Sequence, residues 1–246
     1  MAGNGKKVKL AIFDIDGTIF RSSLIVELFN NLIERKVFSK KSLTEINKHH
    51  VAWLNRTGQY NNYVMSVVES YCHNLRGVKQ SDLKIAVQDV MKRHKNKVYR
   101  YTRDLIPKLK KQGYYLIAIS GSPDDIVSQF ARYLGFNKAF GTLFEIQNGI
   151  YTGKRFDGKQ YADGITIPPK DFVFQSFMEQ EKLNVDLKNS IAVGDTEGDI
   201  PLFNLVGNPI VFNPSSDLAR LAKKKNWSVI VERKDVIYQI NQCKFI

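Results

Sequence analysis

The chain has 246 residues, with 37 Lys and Arg against 24 Asp and Glu, and is long enough to bury a large core without disulfides or a structural metal. Its two cysteines, Cys72 and Cys243, stand far apart and in no metal-ligand spacing, which argues against a disulfide framework and fits a reducing compartment. No apolar run reaches the length of a membrane span, and the opening residues lead into an apolar strand rather than a signal-peptide core, so the cytoplasm is the expected location.

In chain order, Val8 to Phe13 is a short apolar run that ends in the acidic turn Asp14-Ile-Asp-Gly-Thr18. A buried parallel strand followed by a functional loop has this pattern. From about Ser22 to Lys97 helical periodicity runs through three or four segments, broken near Phe38-Ser39, Gly58 and Gly77, which predicts a helical insert. A helix over Arg100–Gln112 precedes a second apolar run, Tyr114–Ile119, which ends in Ser120-Gly-Ser-Pro and is followed by a helix over Asp124–Leu134. Between Phe144 and Tyr151, apolar alternation around Asn148-Gly149 predicts a hairpin. A helix over Phe172–Leu183 leads to the run Ser190–Val193, which ends in Gly194-Asp-Thr-Glu-Gly-Asp199. Helices over Ile200–Leu205 and Ser216–Lys225 then alternate with runs at Ile210–Phe212 and Ser228–Val231. Strands alternating with helices predict an α/β fold, a doubly wound parallel sheet, with residues 1–20 and 98–246 as the core and 21–97 inserted after the first strand.

Ligands in an open parallel sheet sit beyond the carboxyl ends of the strands, so Asp14, Asp16, Ser120, Asp195 and Asp199 are expected to converge in one cleft. Four carboxylates that close repel one another unless a cation is shared, and hard oxygen ligands beside a phosphate point to Mg²⁺. Gly17 permits a tight turn beside Asp14, and Thr18 offers a hydroxyl to pin the loop or meet a phosphate oxygen. Ser120, with the backbone N–H of Gly121 at a helix start, is a phosphate-oxygen site, whereas Ser122 before Pro123 fits an ordinary helix cap. Lys154, Lys159 and Lys170 are the candidates to offset phosphate charge. Lys170 is preferred because it opens a helix near the ligand-binding edge.

The series Phe-Asp14-Ile-Asp16-Gly-Thr18, Ile-Ser120-Gly-Ser, Lys170 and Gly-Asp195-x-x-x-Asp199 resembles the four motifs of the haloacid dehalogenase superfamily. The insert resembles the helical cap of its phosphoserine phosphatase-like subgroup, and the segment from Asp199 to Asn213-Pro resembles that subgroup's general hydrolase branch. The resemblance implies a Rossmann-like core and a Mg²⁺-dependent phosphatase. It implies that Asp14 attacks phosphorus and that Asp16 serves as acid and then base. It also implies that Ser120, Gly121, Thr18 and Lys170 hold the phosphoryl group, that Asp14, Asp16 (through its carbonyl) and Asp195 ligate the metal, and that Asp199 serves the metal through its waters or holds Lys170. The expected partner is a small phosphorylated metabolite.

Two features depart from the resemblance. No acid follows the first motif until Glu27, where phosphoserine phosphatases grip the substrate amine, so phosphoserine itself is not expected. Gly198 stands where many members have asparagine. A phosphotransferase or phosphomutase using the same aspartate, and a non-catalytic anion-binding module, are the competing readings. The formal charge of +13 favours anionic partners, but the basic runs carry no nucleic-acid motif, and nucleic acid is not expected. Trp53, Arg56, Tyr60, Tyr63 and Tyr71 either line a substrate cleft or pack the insert's interior.

Overall fold

The structure is a computed structural model that describes residues 7–163 and 168–240. In chain order the elements are β1 (Leu10–Phe13), α1 (Leu24–Glu34), α2 (Leu43–Leu54), α3 (Tyr60–Leu75), α4 (Gln80–His94), α5 (Arg100–Lys111), β2 (Tyr115–Pro123) and α6 (Asp124–Leu134). There follow β3 (Lys138–Thr142), β4 (Phe144–Gln147), β5 (Ile150–Phe156), β6 (Tyr161–Ala162), α7 (Lys170–Glu181), β7 (Ile191–Gly194), α8 (Ile200–Leu205), β8 (Asn208–Phe212), α9 (Ser216–Lys225), β9 (Ser228–Arg233) and β10 (Val236–Ile240).

Seven strands form one sheet in the order β10-β9-β8-β7-β1-β2-β3, parallel except for β10, which runs antiparallel to β9. The chain winds outward from β1 through β2 to β3, then returns to β1's other side and winds outward again through β7, β8 and β9. The reversal lies between β1 and β7, where a doubly wound sheet opens a crevice for ligands.

All four residues of β1, Leu10-Ala-Ile-Phe13, are fully buried, which is why the strand reads as a continuous apolar run. Ala11 and Phe13 face one core together with Leu116, Ala118, α5, α6 and the inserted helices α1, α3 and α4. Leu10 and Ile12 face a second core with Ile117, Ile119 and the helices α7, α8 and α9. The inserted helices therefore share one hydrophobic cluster with a face of the sheet. Local chemistry sets the helix ends: α6 opens on Asp124 and Asp125 and stops at Gly135 (φ +83°), and the Ser215 hydroxyl caps α9 at the Leu218 N–H.

The hairpin expected at Phe144–Tyr151 forms around Asn148 (φ +50°) and Gly149 (φ +76°), and the structure adds β6 to make a three-stranded antiparallel sheet. This small sheet is tied to the α3–α4 junction, where Gly77 N donates to Tyr151 O and Gln80 N to Gly149 O, and the buried Tyr151 hydroxyl donates to Asp125 at 2.7 Å. Among the described residues no helix is long and apolar enough to cross a membrane. Cys72 is a free thiol, and Cys243 lies outside the described residues.

The fully buried Ser190 hydroxyl at the head of β7 accepts from Leu10 N (2.8 Å) and donates to Asp186 O (2.6 Å), which fixes β1 against β7. Ser190→Ala strands a buried N–H and is expected to lower unfolding stability by about 1–3 kcal/mol in a denaturant titration, with an unchanged slope.

Candidate active site

The strand register explains how residues scattered over the sequence meet. Phe13 lies opposite both Ala118 of β2 and Val193 of β7, so the three central strands deliver Asp14, Ser120 and Asp195 to the same edge of the sheet. Asp14 N donates to Val193 O at 2.9 Å, which anchors that edge. Asp199 enters from the turn that follows β7. It accepts from the N–H groups of Asp195 (3.0 Å) and Thr196 (3.1 Å) through Oδ2, while its Oδ1 faces Lys170.

Carboxylate oxygens of Asp14, Asp195 and Asp199 all lie within 4.8 Å of one another. Among the described residues one ammonium pairs with them. Lys170, the first residue of α7, donates to Asp14 Oδ1 at 2.5 Å and to Asp199 Oδ1 at 2.6 Å. Lys154 and Lys159, the other two lysines weighed from the sequence, make no ion pair with these aspartates. Burial pulls the Lys170 ammonium down, but Asp14 and Asp199 outweigh it and leave its pKa raised. Burial, with help from Asp199 and Asp16 and against Lys170, pushes Asp14 up to about 7. Asp195 is also raised, by burial first and then by Asp14 and Asp199.

Two glycines make this crowding possible. A Cβ on Gly17 (φ +84°) would overlap the Asp195 carboxylate, and one on Gly194 would overlap that of Asp199. Asp14 Oδ2 is buried with no hydrogen-bond partner. An orphaned buried carboxylate oxygen, in a trio of acids with a single lysine, fits a divalent cation with oxygen preference.

Asp16 has a different environment. Its Oδ1 accepts from Leu24 N at 2.5 Å, and its Oδ2 accepts from the hydroxyls of Ser120 (2.6 Å) and Ser122 (2.8 Å). The side chain thus turns toward the start of the insert and does not join the acidic trio. Thr18, fully buried, gives its hydroxyl to Asp195 Oδ1 (3.1 Å), and its carbonyl accepts from Thr102 (3.0 Å), so it pins the loop as one of its two expected roles required. Gly121 is anchored through its carbonyl, which accepts from Thr142 at 2.7 Å.

The structure adds two residues to this set. Ser122 does not cap α6, whose N-cap is Pro123; its hydroxyl bridges Asp16 and the Ile25 N–H (3.1 Å). A serine before a proline at a helix start carries a cap signal, and nothing local to it announces the longer contact. Thr102, buried on α5, had no sequence signal at all.

An acidic cluster at the switch point of a doubly wound sheet, with a serine and a lysine from flanking strand and helix ends, is the candidate active site of an α/β enzyme. The model of the haloacid dehalogenase-like hydrolases matches residues 11–204. The chain belongs to that family, and within it is phosphoserine phosphatase-like, a phosphatase-type hydrolase. It is 25% identical over 232 residues to a phosphoserine phosphatase of Methanocaldococcus jannaschii, covering 94% of this chain and 95% of the relative. A protein of Mycobacterium leprae named as a hydrolase is 31% identical over 134 residues, covering 54% of this chain and only 42% of that relative's length. A solved phosphoserine phosphatase carrying an analogue of the phospho-aspartyl intermediate superposes with a TM-score of 0.59 at 20% identity, covering 94% of this chain and 96% of that one, which supports the fold.

Because Asp14 is pushed up to about 7, protons compete with a cation for it. Divalent-cation affinity measured by calorimetry is expected to rise with pH through the range in which Asp14 and Asp195 lose their protons. A flat profile around pH 7 would contradict an Asp14 that is both a ligand and protonated in the empty site.

Proposed function

We propose that the chain is a Mg²⁺-dependent phosphatase that hydrolyses a phosphate monoester of a small metabolite through a phosphorylated Asp14. The observation that supports this best is the contrast between two neighbouring carboxylates. Asp14 is buried against Lys170 with one oxygen free, while Asp16 is held by three donors on the side of the insert. Different environments fit them to different tasks.

In this reading, an oxygen of Asp14 attacks phosphorus as the bond to the leaving oxygen breaks, and Asp16 gives that oxygen a proton. Water then attacks the phosphorus of the aspartyl-phosphate, Asp16 takes its proton, and the bond to Asp14 breaks to release phosphate. Ser120, the backbone at Gly121 and Lys170 hold the phosphoryl oxygens, and Lys170 keeps its charge through its contacts with Asp14 and Asp199. Asp14, Asp195 and Asp199, with the main-chain carbonyl of Asp16, are the residues that would hold Mg²⁺, which supplies neutralisation of phosphoryl charge when bound. Thr18 sets the Asp195 carboxylate for that role. Residues 21–97 serve as the cap over the site, and the free Cys72 is consistent with a cytoplasmic location.

Hydrolysis of a generic aryl phosphate tests the reading. Phosphate release is expected only with Mg²⁺, abolished in Asp14→Asn and reduced about 10²–10⁴-fold in Asp16→Asn. Full activity in Asp14→Asn, or activity indifferent to Mg²⁺ and to chelator, would contradict it.

A further inference from the structure

Beside the residues that hold the phosphoryl group lies a cavity of ≈ 510 Å³. Ser120, Gly121, Lys170 and Gly198 border it at the acidic site, and it follows α7 as far as Gln180. Its volume falls within the range of about 300–1,000 Å³ typical of small-molecule sites. No described residue of the insert lines it, and Tyr63 and Tyr71 of the insert are buried in the core that the insert shares with the sheet.

The walls of this cavity are mostly apolar. From α7 come Val173, Ser176, Phe177 and Gln180, spaced as one stripe of a helix. Phe140 of β3 packs on Phe177 with ring centroids 5.5 Å apart. Two large apolar residues of the lining, Phe172 and Leu143, keep 39% and 45% of their surface exposed. The Phe172 ring lies against the turn at Gly158 (φ +105°), where a Cβ would come within 3.0 Å of it. Thr142, also in the lining, donates to Gly121 O at 2.7 Å and so ties the β3 wall to the loop that carries Ser120. The cavity is therefore built before any ligand arrives.

Its charge is as selective as its shape. In a chain with 25% charged residues, Lys170 is the one charged side chain among the described residues of the lining. No carboxylate among them is placed to receive an ammonium, and an amine buried there would lack a partner. One cation at the inner end and apolar walls beyond it match an anion with an apolar body.

Ser120 joins the cavity to the chemistry. Besides lining it, Ser120 gives its hydroxyl to Asp16 Oδ2 at 2.6 Å. On its other flank Asp16 meets Leu24 N and the Ser122 hydroxyl, and both residues are buried. On the reading given above, on which this inference rests, the leaving oxygen lies at Asp16. The carbon body attached to that oxygen has its room on the Ser120 side.

We propose that this cavity is the specificity pocket for the leaving group, and that the preferred substrates are phosphate monoesters of apolar alcohols without an amine, their carbon chain lying against Phe172 and Phe177.

The test uses the full chain with Mg²⁺ and two series of compounds. Straight-chain alkyl phosphates from ethyl to hexyl are assayed for phosphate release, and the matching alkylphosphonates, which cannot be hydrolysed, are titrated by calorimetry. Affinity and kcat/KM are both expected to rise about two- to fourfold per methylene. Ser176→Trp, which fills the cavity from α7, is expected to bring the whole series down to the ethyl value, and Phe172→Ala to lower the gain per methylene. A loss of folding would weaken every member alike, so the gradient separates recognition from structure. A wild type with no gradient, or a gradient kept in full by both variants, would overturn the proposal. Hydrolysis of ethyl phosphate reports on the phosphatase reading alone: its absence with the phosphonate gradient intact would count against that reading and for the pocket.

Discussion

Everything in this molecule's centre follows from a surplus of buried carboxylate. Three adjacent strands end at one edge of the sheet, and two of them, with the turn after β7, supply Asp14, Asp195 and Asp199 within a few ångströms of one another. One ammonium, on Lys170, touches two of the three. Buried like charges at this separation cannot all ionise without more positive charge than one lysine carries. The local architecture is arranged around that tension. Glycines stand where a Cβ would strike a carboxylate, two backbone N–H groups hold Asp199, and a threonine hydroxyl holds Asp195. The same surplus leaves a trio of carboxylates that could hold a divalent cation.

The second constraint is the separation of Asp14 from Asp16. Residues two apart at a strand end would share a face if the strand continued. The chain instead turns at Gly17, where the Gly17 N–H donates to the carbonyls of Phe20 and Ser22. That turn sends Asp16 toward the first residues of the insert, where Leu24 N, Ser120 and Ser122 hold it. Asp16 is thus oriented by donors from both the insert and the core.

Much of this architecture was legible in the residues alone. Strands buried on both faces announce themselves as unbroken apolar runs, so β1, β2, β7, β8 and β9 were all anticipated, and α6, α8 and α9 were placed at their observed bounds. The three further strands were hidden for two physical reasons. β3 and β10 are the edges of the large sheet and are half exposed, with Lys138-Ala-Phe-Gly-Thr142 carrying no apolar run, and β6 is only two residues long. The acidic trio and Lys170 were legible because strand ends converge by topology. The direction in which Asp16 points was not, because it depends on a turn and on Ser122, whose sequence context signals a helix cap.

The most direct measurement of the central claim is chemical trapping of the intermediate. The protein turning over a phosphate ester with Mg²⁺ is quenched with borohydride, which reduces an acyl phosphate to an alcohol, and the peptides are mapped by mass spectrometry. The account predicts homoserine at position 14, present only when ester and metal are both supplied. Turnover of the ester with position 14 unmodified, or reduction at another carboxylate, would contradict it.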